Sequence, residues 1–268
     1  MLVLLDKDDT ITQGSRYSFN VKKVREAVAK CQNSGIIIGL NSDSPVQSLV
    51  KLSEQLGMRG PIIAEKGAVV TDFQGKNELF TFNSEIAASI MQTKWQICQR
   101  TAEIGSAAIV GDVVTMIEKQ TLSLEGVDYF VAMNSTRKAS LLFFLYRTVS
   151  GLLTPLGKEE LCKEIEFLTS GIVPAGCELE IDPLYSLGTI HIKGMAKRWG
   201  IAVLRSYYPS EDFIMIGNSM SDYCGEGVFH VAVANANKDY KEKVNHICQN
   251  EFEDGVVEFL ENLLKVAC

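Results

Sequence analysis

The sequence has no basic block, no long apolar run and no closely paired cysteines, and each absence removes a class of function. Its 26 Lys and Arg residues are outnumbered by 33 Asp and Glu, for a formal net charge of -7. Such a chain is not a general binder of nucleic acid or of anionic membrane surfaces. No apolar stretch approaches the length needed to cross a bilayer, and Leu141–Leu145 is only a short patch. The apolar start lacks a leading basic region and meets Asp6 after five residues, too short for a signal peptide. The seven cysteines (Cys31, Cys98, Cys162, Cys177, Cys224, Cys248 and Cys268) contain no CxxC pair. An odd, dispersed set is expected to be reduced thiols in a cytoplasmic protein, and the spacing suggests no zinc site. Repeats and low-complexity segments are also absent.

What is present begins at the first residues. Met1-Leu2-Val3-Leu4-Leu5 is apolar without alternation, as in a strand buried on both faces of a parallel sheet. It ends in Asp6-Lys7-Asp8-Asp9-Thr10, which places carboxylates at the C-terminal end of a strand, where open α/β sheets bind ligands. Aspartates there also suit a turn or a helix cap. Crowding Asp6, Asp8 and Asp9 together is electrostatically costly unless a cation offsets it.

The following segments predict an α/β fold, a doubly wound parallel sheet interrupted by a second domain. A helix capped by Asn20 leads to the strand Ile36–Leu40, a helix over Val46–Leu56 closes at Gly57, and Pro61–Ala64 and Ala68–Val70 read as strands. Near Gly75 the rhythm changes. A helix over Ser84–Glu103 precedes strands at Ala107–Val110, Val113–Ile117 and Tyr129–Met133, helices near Lys138–Arg147 and Lys158–Leu168, and a strand at Cys177–Ile181. The first pattern resumes with a helix opening at Ile192-Lys193-Gly194 and stopping at Gly200. Strands follow at Phe213–Ile216 and His230–Val233, and a helix at Val256–Val266. The expected division is a core of 1–77 and 190–268 with an inserted α+β domain of 78–189. Trp95, Tyr129, Phe143, Phe144 and Tyr146 are expected in the core of that insert. His191 reads as a strand residue and Cys224 as a buried small apolar group.

Four polar clusters now stand at strand ends or at a helix start: Asp6-Lys7-Asp8-Asp9-Thr10, Asn41-Ser42, Lys193-Gly194 and Gly217-Asn218-Ser219-Met220-Ser221-Asp222. In this order the chain resembles, over its whole length, the haloacid dehalogenase superfamily of phosphatases. The branch is the one with a large α/β cap inserted after the second motif, which includes Cof-type, sucrose-phosphate phosphatase and phosphomannomutase-like members. Ala64-Glu65-Lys66-Gly67-Ala68 is similar to that family's Glu-Asn-Gly-Ala, and Asn235-Ala236 to its trailing Asn-Ala.

The resemblance implies a Rossmann-like core and a Mg²⁺-dependent phosphomonoesterase acting on a small phosphorylated metabolite, expected to be a sugar phosphate. Asp6 would be the nucleophile, forming an aspartyl-phosphate, and Asp8 the general acid and base. Lys193 would neutralise phosphate oxygens at a helix N-terminus, with Asn41 or Ser42 hydrogen-bonding the same oxygens. The metal would lie among the Asp6 carboxylate, the Asp8 carbonyl and the fourth motif, through Asn218 or Asp222. Asp222 has a second possible role as the partner of the lysine.

Three departures from the family pattern matter. Asn218 stands where Asp is usual, Ser221 where Asn is usual, and Asp9 where Gly is common. Asp9 is expected to offset the charge lost at Asn218. Glu178, Glu180 and Asp182 are expected to reach a polyhydroxylated substrate. Two other readings remain open at this point: a catalytically weakened member that binds a ligand or partner, and a phosphomutase.

Overall fold

The computed structural model describes residues 1–13, 18–110 and 126–267. The expected strand Val113–Ile117 lies outside them. The chain divides into two compact units, Met1–Thr81 with Met195–Cys268, and Phe82–Gly194. The division falls a few residues later at each crossing than 78 and 189. Strand Glu78–Thr81 still pairs within the first sheet, and Leu187–Ile192 still pairs within the second.

In the first unit β1 (Leu2–Leu5) is a run of four fully buried aliphatic residues, each contributing about 1.5–3 kcal/mol by burial. It lies between β2 (Ile37–Asn41) and β12 (Phe213–Gly217), parallel to both. Beyond β2 come β3 (Ile62–Ala64), β4 (Val69–Thr71) and β5 (Glu78–Thr81), the last two antiparallel. Beyond β12 come β13 (Val228–Ala232) and β14 (His246–Ile247), both parallel. The order β14-β13-β12-β1-β2-β3-β4-β5 reverses direction at β1. Asp6 and the segment after Gly217 therefore meet at a switch point, the place where such sheets open a crevice.

Helices cover both faces of this sheet. The first, α1 (Val21–Asn33), is capped by the Asn20 side chain and buries Val24, Ala27, Val28 and Cys31. It packs beside α2 (Val46–Leu56) and against the final helix, Phe252–Ala267, to which Lys23 and Lys30 also form ion pairs with Asp254 and Glu261. On the opposite face lies the helix Lys197–Tyr207, whose Ile201 and Leu204 meet Leu2, Leu4, Met215 and Ile63. This helix starts at Lys197 rather than at Ile192, and Gly200 lies inside it rather than ending it. A Cβ at Gly200 would stand 2.3 Å from Ile63 Cγ2, so the glycine serves close helix–sheet packing.

The second unit carries α3 (Ser84–Thr101), β6 (Gly105–Val110), β7 (Tyr129–Asn134), β8 (Ser140–Val149), β9 (Leu152–Pro155), α4 (Lys158–Thr169), β10 (Cys177–Asp182) and β11 (Leu187–Ile192). Its sheet runs β10-β11-β8-β7-β6, with β9 on β8. The expected helix over Lys138–Arg147 is strand β8. Leu141, Phe143 and Leu145 are fully buried while Leu142 and Phe144 are only partly so, a period of two hidden in an unbroken apolar run. Phe143 and Tyr146 are core residues, but Trp95 is 62% exposed. The buried stripe of α3 passes through Ala87, Ile90, Thr93 and Ile97, which leaves Trp95 on the other side.

The helices Lys197–Tyr207, Lys238–Lys241 and Phe252–Ala267 are α5, α6 and α7. On β13, His230 is buried, accepts the Cys224 N–H at its Nε2 (2.9 Å) and stacks on Tyr223 at 4.6 Å. Burial holds its pKa below the ordinary 6.5, so the fold keeps it neutral. The unfolded chain binds this proton more readily, so stability is complete above pH 6.5 and declines below it. The expected slope is up to about 1.4 kcal/mol per pH unit. Urea unfolding at pH 7 and pH 5 should show a smaller acid loss in His230→Gln than in the parent. An equal loss in both would assign the sensitivity elsewhere.

Candidate active site

Side-chain alternation along β1 sends Leu2 and Leu4 toward α5 and carries Asp6, the next residue of that parity, to the same face. There Asp6, 4% exposed, meets Lys197, the first residue of α5 and 3% exposed. Lys197 Nζ lies 2.7 Å from Asp6 Oδ1 and 2.6 Å from Asp222 Oδ1. Asp222 is fully buried in a single helical turn, Met220–Asp222, that follows β12. Its other oxygen, Oδ2, accepts the N–H groups of Asn218 (2.9 Å) and Ser219 (3.0 Å).

Two glycines permit this approach. A Cβ at Gly217 would stand 2.3 Å from the Asp222 carboxyl carbon, so only glycine lets that side chain fold back under its own strand. Gly67, at φ +96°, would place a Cβ 2.4 Å from the Ala196 carbonyl oxygen. The backbone before Lys197 thus rests directly on the Glu65–Gly67 turn.

Two buried carboxylates share one ammonium, so the cluster carries a net negative charge in a dry place when both are ionised. Burial, then the charge of Asp222, raise the Asp6 pKa to about 8, against the opposing pull of Lys197. The two carboxylates hold Lys197 well above its ordinary value despite its burial. Such a site favours added positive charge.

Oxygen donors stand beside it. Thr10 Oγ1 donates to Asp6 Oδ2 (3.2 Å) and lies 3.4 Å from Asn218 Oδ1, so both oxygens face one hydroxyl. An all-oxygen set next to an unbalanced carboxylate suits a hard cation such as Mg²⁺. Asp6 and Asn218 fit that task. Asp222 does not, since its two oxygens are committed to Lys197 and to two backbone N–H groups.

Asp8 is paired through Oδ1 with Lys7 Nζ at 3.2 Å, and Lys7 also donates to Ser44 Oγ at 3.1 Å. Asp9 has φ +56°, a conformation easiest for glycine and better tolerated by Asp than by most residues. Its carbonyl accepts Asn235 Nδ2 at 2.8 Å.

The structure separates several residues that the sequence grouped. Lys193 is exposed, belongs to the second unit, and uses its N–H to bond the Gly176 carbonyl. Gly194, at φ +73°, ends a turn there instead of opening a helix. Lys197, four residues later in the sequence, is the lysine that meets Asp6 and Asp222. A signal for it exists, because Lys197 shares a helical stripe with Gly200, Ile201 and Leu204, where an unpaired lysine would not be buried.

Asn41 is fully buried on the α5 face, its Nδ2 3.8 Å from Met215 Sδ and 4.0 Å from Cys224 Sγ. Its Oδ1 is buried and meets no hydrogen-bond partner among the described residues. Ser42, also buried, accepts the Ser44 N–H at 3.2 Å and so shapes the turn after β2. In the second unit Glu180 lies 3.2 Å from His191 Nε2, Glu178 accepts the Gly194 N–H, and Asp182 accepts the Leu184 N–H. Each of the three has a local structural task.

A family model described as haloacid dehalogenase-like hydrolase matches residues 3–260. Among curated proteins none matches the sequence. Solved structures are similar in fold at low identity. A haloacid dehalogenase-like hydrolase from Bacteroides thetaiotaomicron shares 18% identity, with TM-score 0.67 over 98% of both chains. The Thermotoga maritima protein TM0651 shares 16%, with TM-score 0.67 over 97% of this chain and 96% of that one. The protein BT4131, described as a subclass IIB sugar phosphatase, shares 15%, with TM-score 0.59 over 98% of both chains.

The two lysines are expected to respond differently to substitution. Lys197→Met leaves two buried carboxylates without their cation and should cost about 3–5 kcal/mol in denaturant unfolding. Lys193→Met, at an exposed position, should change stability by less than about 0.5 kcal/mol. Equal effects would refute the placement of Lys197.

Proposed function

The chain belongs to the haloacid dehalogenase-like hydrolases, and on that premise we propose that it is a phosphatase of small phosphorylated metabolites, with sugar phosphates as the favoured class. The observation that carries this reading is the buried Asp6–Lys197–Asp222 cluster at the sheet's switch point. The description of the similar protein BT4131 as a sugar phosphatase supports the choice of substrate class.

In the proposed reaction an Asp6 carboxylate oxygen attacks phosphorus, the phosphorus–oxygen ester bond breaks, and the leaving alkoxide takes a proton from Asp8. Water then attacks the aspartyl-phosphate, giving its proton to Asp8, and releases phosphate with Asp6 restored. Lys197 opposes the burial that raises the Asp6 pKa, and so favours the carboxylate form, and places positive charge beside the incoming phosphate. Lys7 holds Asp8 near this point without burying it. Mg²⁺, held by Asp6, Asn218 and the Asp8 carbonyl, would supply charge neutralisation for the phosphate oxygens. Asp222 is a positioning residue: it fixes Lys197 and the turn that presents Asn218.

An amide at position 218 contributes an oxygen but no charge, and Asp9 is proposed to supply part of what is lost. Asn218 also supports a weaker reading, a family member with low turnover that acts mainly as a binding protein.

Phosphate release over a panel of phosphorylated metabolites separates the two. Turnover with Mg²⁺ is expected to vanish with chelator and in Asp6→Asn, and to drop about 10²–10⁴-fold in Asp8→Asn. Release that survives Asp6→Asn, or no release from any ester, would overturn the phosphatase reading. Mg²⁺ binding should tighten ~10-fold or more in Asn218→Asp, because a nearby unit charge is worth several kcal/mol to a divalent ion. It should loosen in Asp9→Asn, and an unchanged affinity there would remove Asp9 from the account.

A further inference from the structure

Strand β14 forms one edge of the first sheet and pairs with β13. His246 lies on β14, and Cys248 follows two residues later, where the period of an extended chain returns the side chain to the same face. Glu258 of α7 comes to meet them. One ligand atom from each of the three residues lies within 4.8 Å of the other two.

Further observations support this as a binding site. His246 Nε2 is buried and, among the described residues, meets no hydrogen-bond partner. A buried polar nitrogen without a partner is rare in native folds and calls for a reason. Cys248 is 3% exposed, so its sulfur is shielded from competing water. Glu258 is held in place by its neighbours. Its Oε2 accepts Gln249 N, Asn250 N and Asn250 Nδ2, whereas the bond recorded to Oε1 is from Gln249 N. A carboxylate offers about four lone-pair sites, so Oε1 keeps acceptor capacity.

We propose that His246, Cys248 and Glu258 form a binding site for a zinc-class divalent cation. The nitrogen, sulfur and oxygen donors are those that Zn²⁺ takes, and three of them leave a fourth tetrahedral position for water. Thiolate and carboxylate balance the ion's two charges around a neutral imidazole, and the thiol proton passes to solvent on binding. The donor set also differs in kind from the all-oxygen cluster at Asp6, which suits a harder ion.

The site is tied to the rest of the unit. The segment that Glu258 clamps continues through Asn250, whose carbonyl accepts Ala234 N at 2.9 Å. Asn235 then accepts Phe252 N and donates to the Asp9 carbonyl. A cation at His246, Cys248 and Glu258 would therefore brace β14, α7 and the support of the Asp9 loop together.

The test uses the full chain, stripped of metal and held in excess Mg²⁺ to occupy the oxygen-rich cluster. Titration with Co²⁺ should give one equivalent with a near-ultraviolet thiolate-to-cobalt band, which Zn²⁺ then displaces. Cys248→Ser should abolish the band and Cys177→Ser should leave it. His246→Ala should weaken Zn²⁺ binding by ~100-fold or more, since even losing a supporting group around a metal ligand costs 10–100-fold. Circular dichroism checks that each variant folds, and the unsubstituted chain tests the site without any substitution. No stoichiometric band in that chain, or a band that survives Cys248→Ser, would overturn the proposal.

Discussion

The contact on which the first unit depends is the ammonium of Lys197 between the carboxylates of Asp6 and Asp222. All three groups are dry, and none could remain charged there alone. Taking an ion out of water costs several kcal/mol, which only close opposite charge and further hydrogen bonds offset. Asp222 receives two backbone N–H groups and Asp6 receives Thr10. Burial and the neighbouring Asp222 raise the Asp6 pKa against the pull of Lys197. In a protein selected only for stability an apolar cluster would serve as well, so the retained charge argues for chemistry at Asp6.

The surrounding fold can be read as the means of holding that contact. Asp6 arrives by strand parity, Lys197 at the first turn of a helix laid on the same sheet face, and Asp222 through a turn that doubles back on Gly217. The helix is set by a backbone-to-backbone approach at Gly67 and by Ile63 packing over Gly200. The first is a contact with backbone alone, and the second is with the side chain of the fully buried Ile63. A side chain at either glycine would push against these contacts and move Lys197 relative to Asp6 and Asp222.

Much of this was legible in the sequence because it rests on local patterns. The apolar runs Leu2–Leu5 and Phe213–Ile216 announced central parallel strands, and the acidic cluster after the first marked the strand end where Asp6 meets Lys197. The errors arose where a local signal competed with packing. Lys193-Gly194 looked like a helix start, yet the glycine takes a left-handed turn and the helix begins with Lys197. Counting which lysine falls on the apolar stripe would have separated them. Leu141–Leu145 carries no polar residues to betray its period, so only pairing with β7 and β11 decides for strand. Asn41 has the parity of Ile37 and Gly39, which brings its Nδ2 beside the sulfur atoms of Met215 and Cys224.

Asn218 shows how one departure redistributes the roles of its neighbours. With Asp222 bound to Lys197, the turn after β12 offers a neutral amide oxygen where the family pattern has a carboxylate. Asp6, Asp222 and Lys197 together carry a net charge of about −1 when all are ionised, so adding a divalent cation makes the group about +1. A carboxylate at 218 would return it to neutrality. On the proposed reading the amide would weaken the hold on the cation while strengthening the field that draws a phosphate dianion, two effects of opposite sign in one substitution. Asp9 lies at the outer side of this balance. Its backbone lies in a left-handed turn, and its carbonyl is held by Asn235. On the proposed reading the cation would then be bound more loosely than in a site with an aspartate at 218, and catalysis would depend more on Lys197 than on the ion.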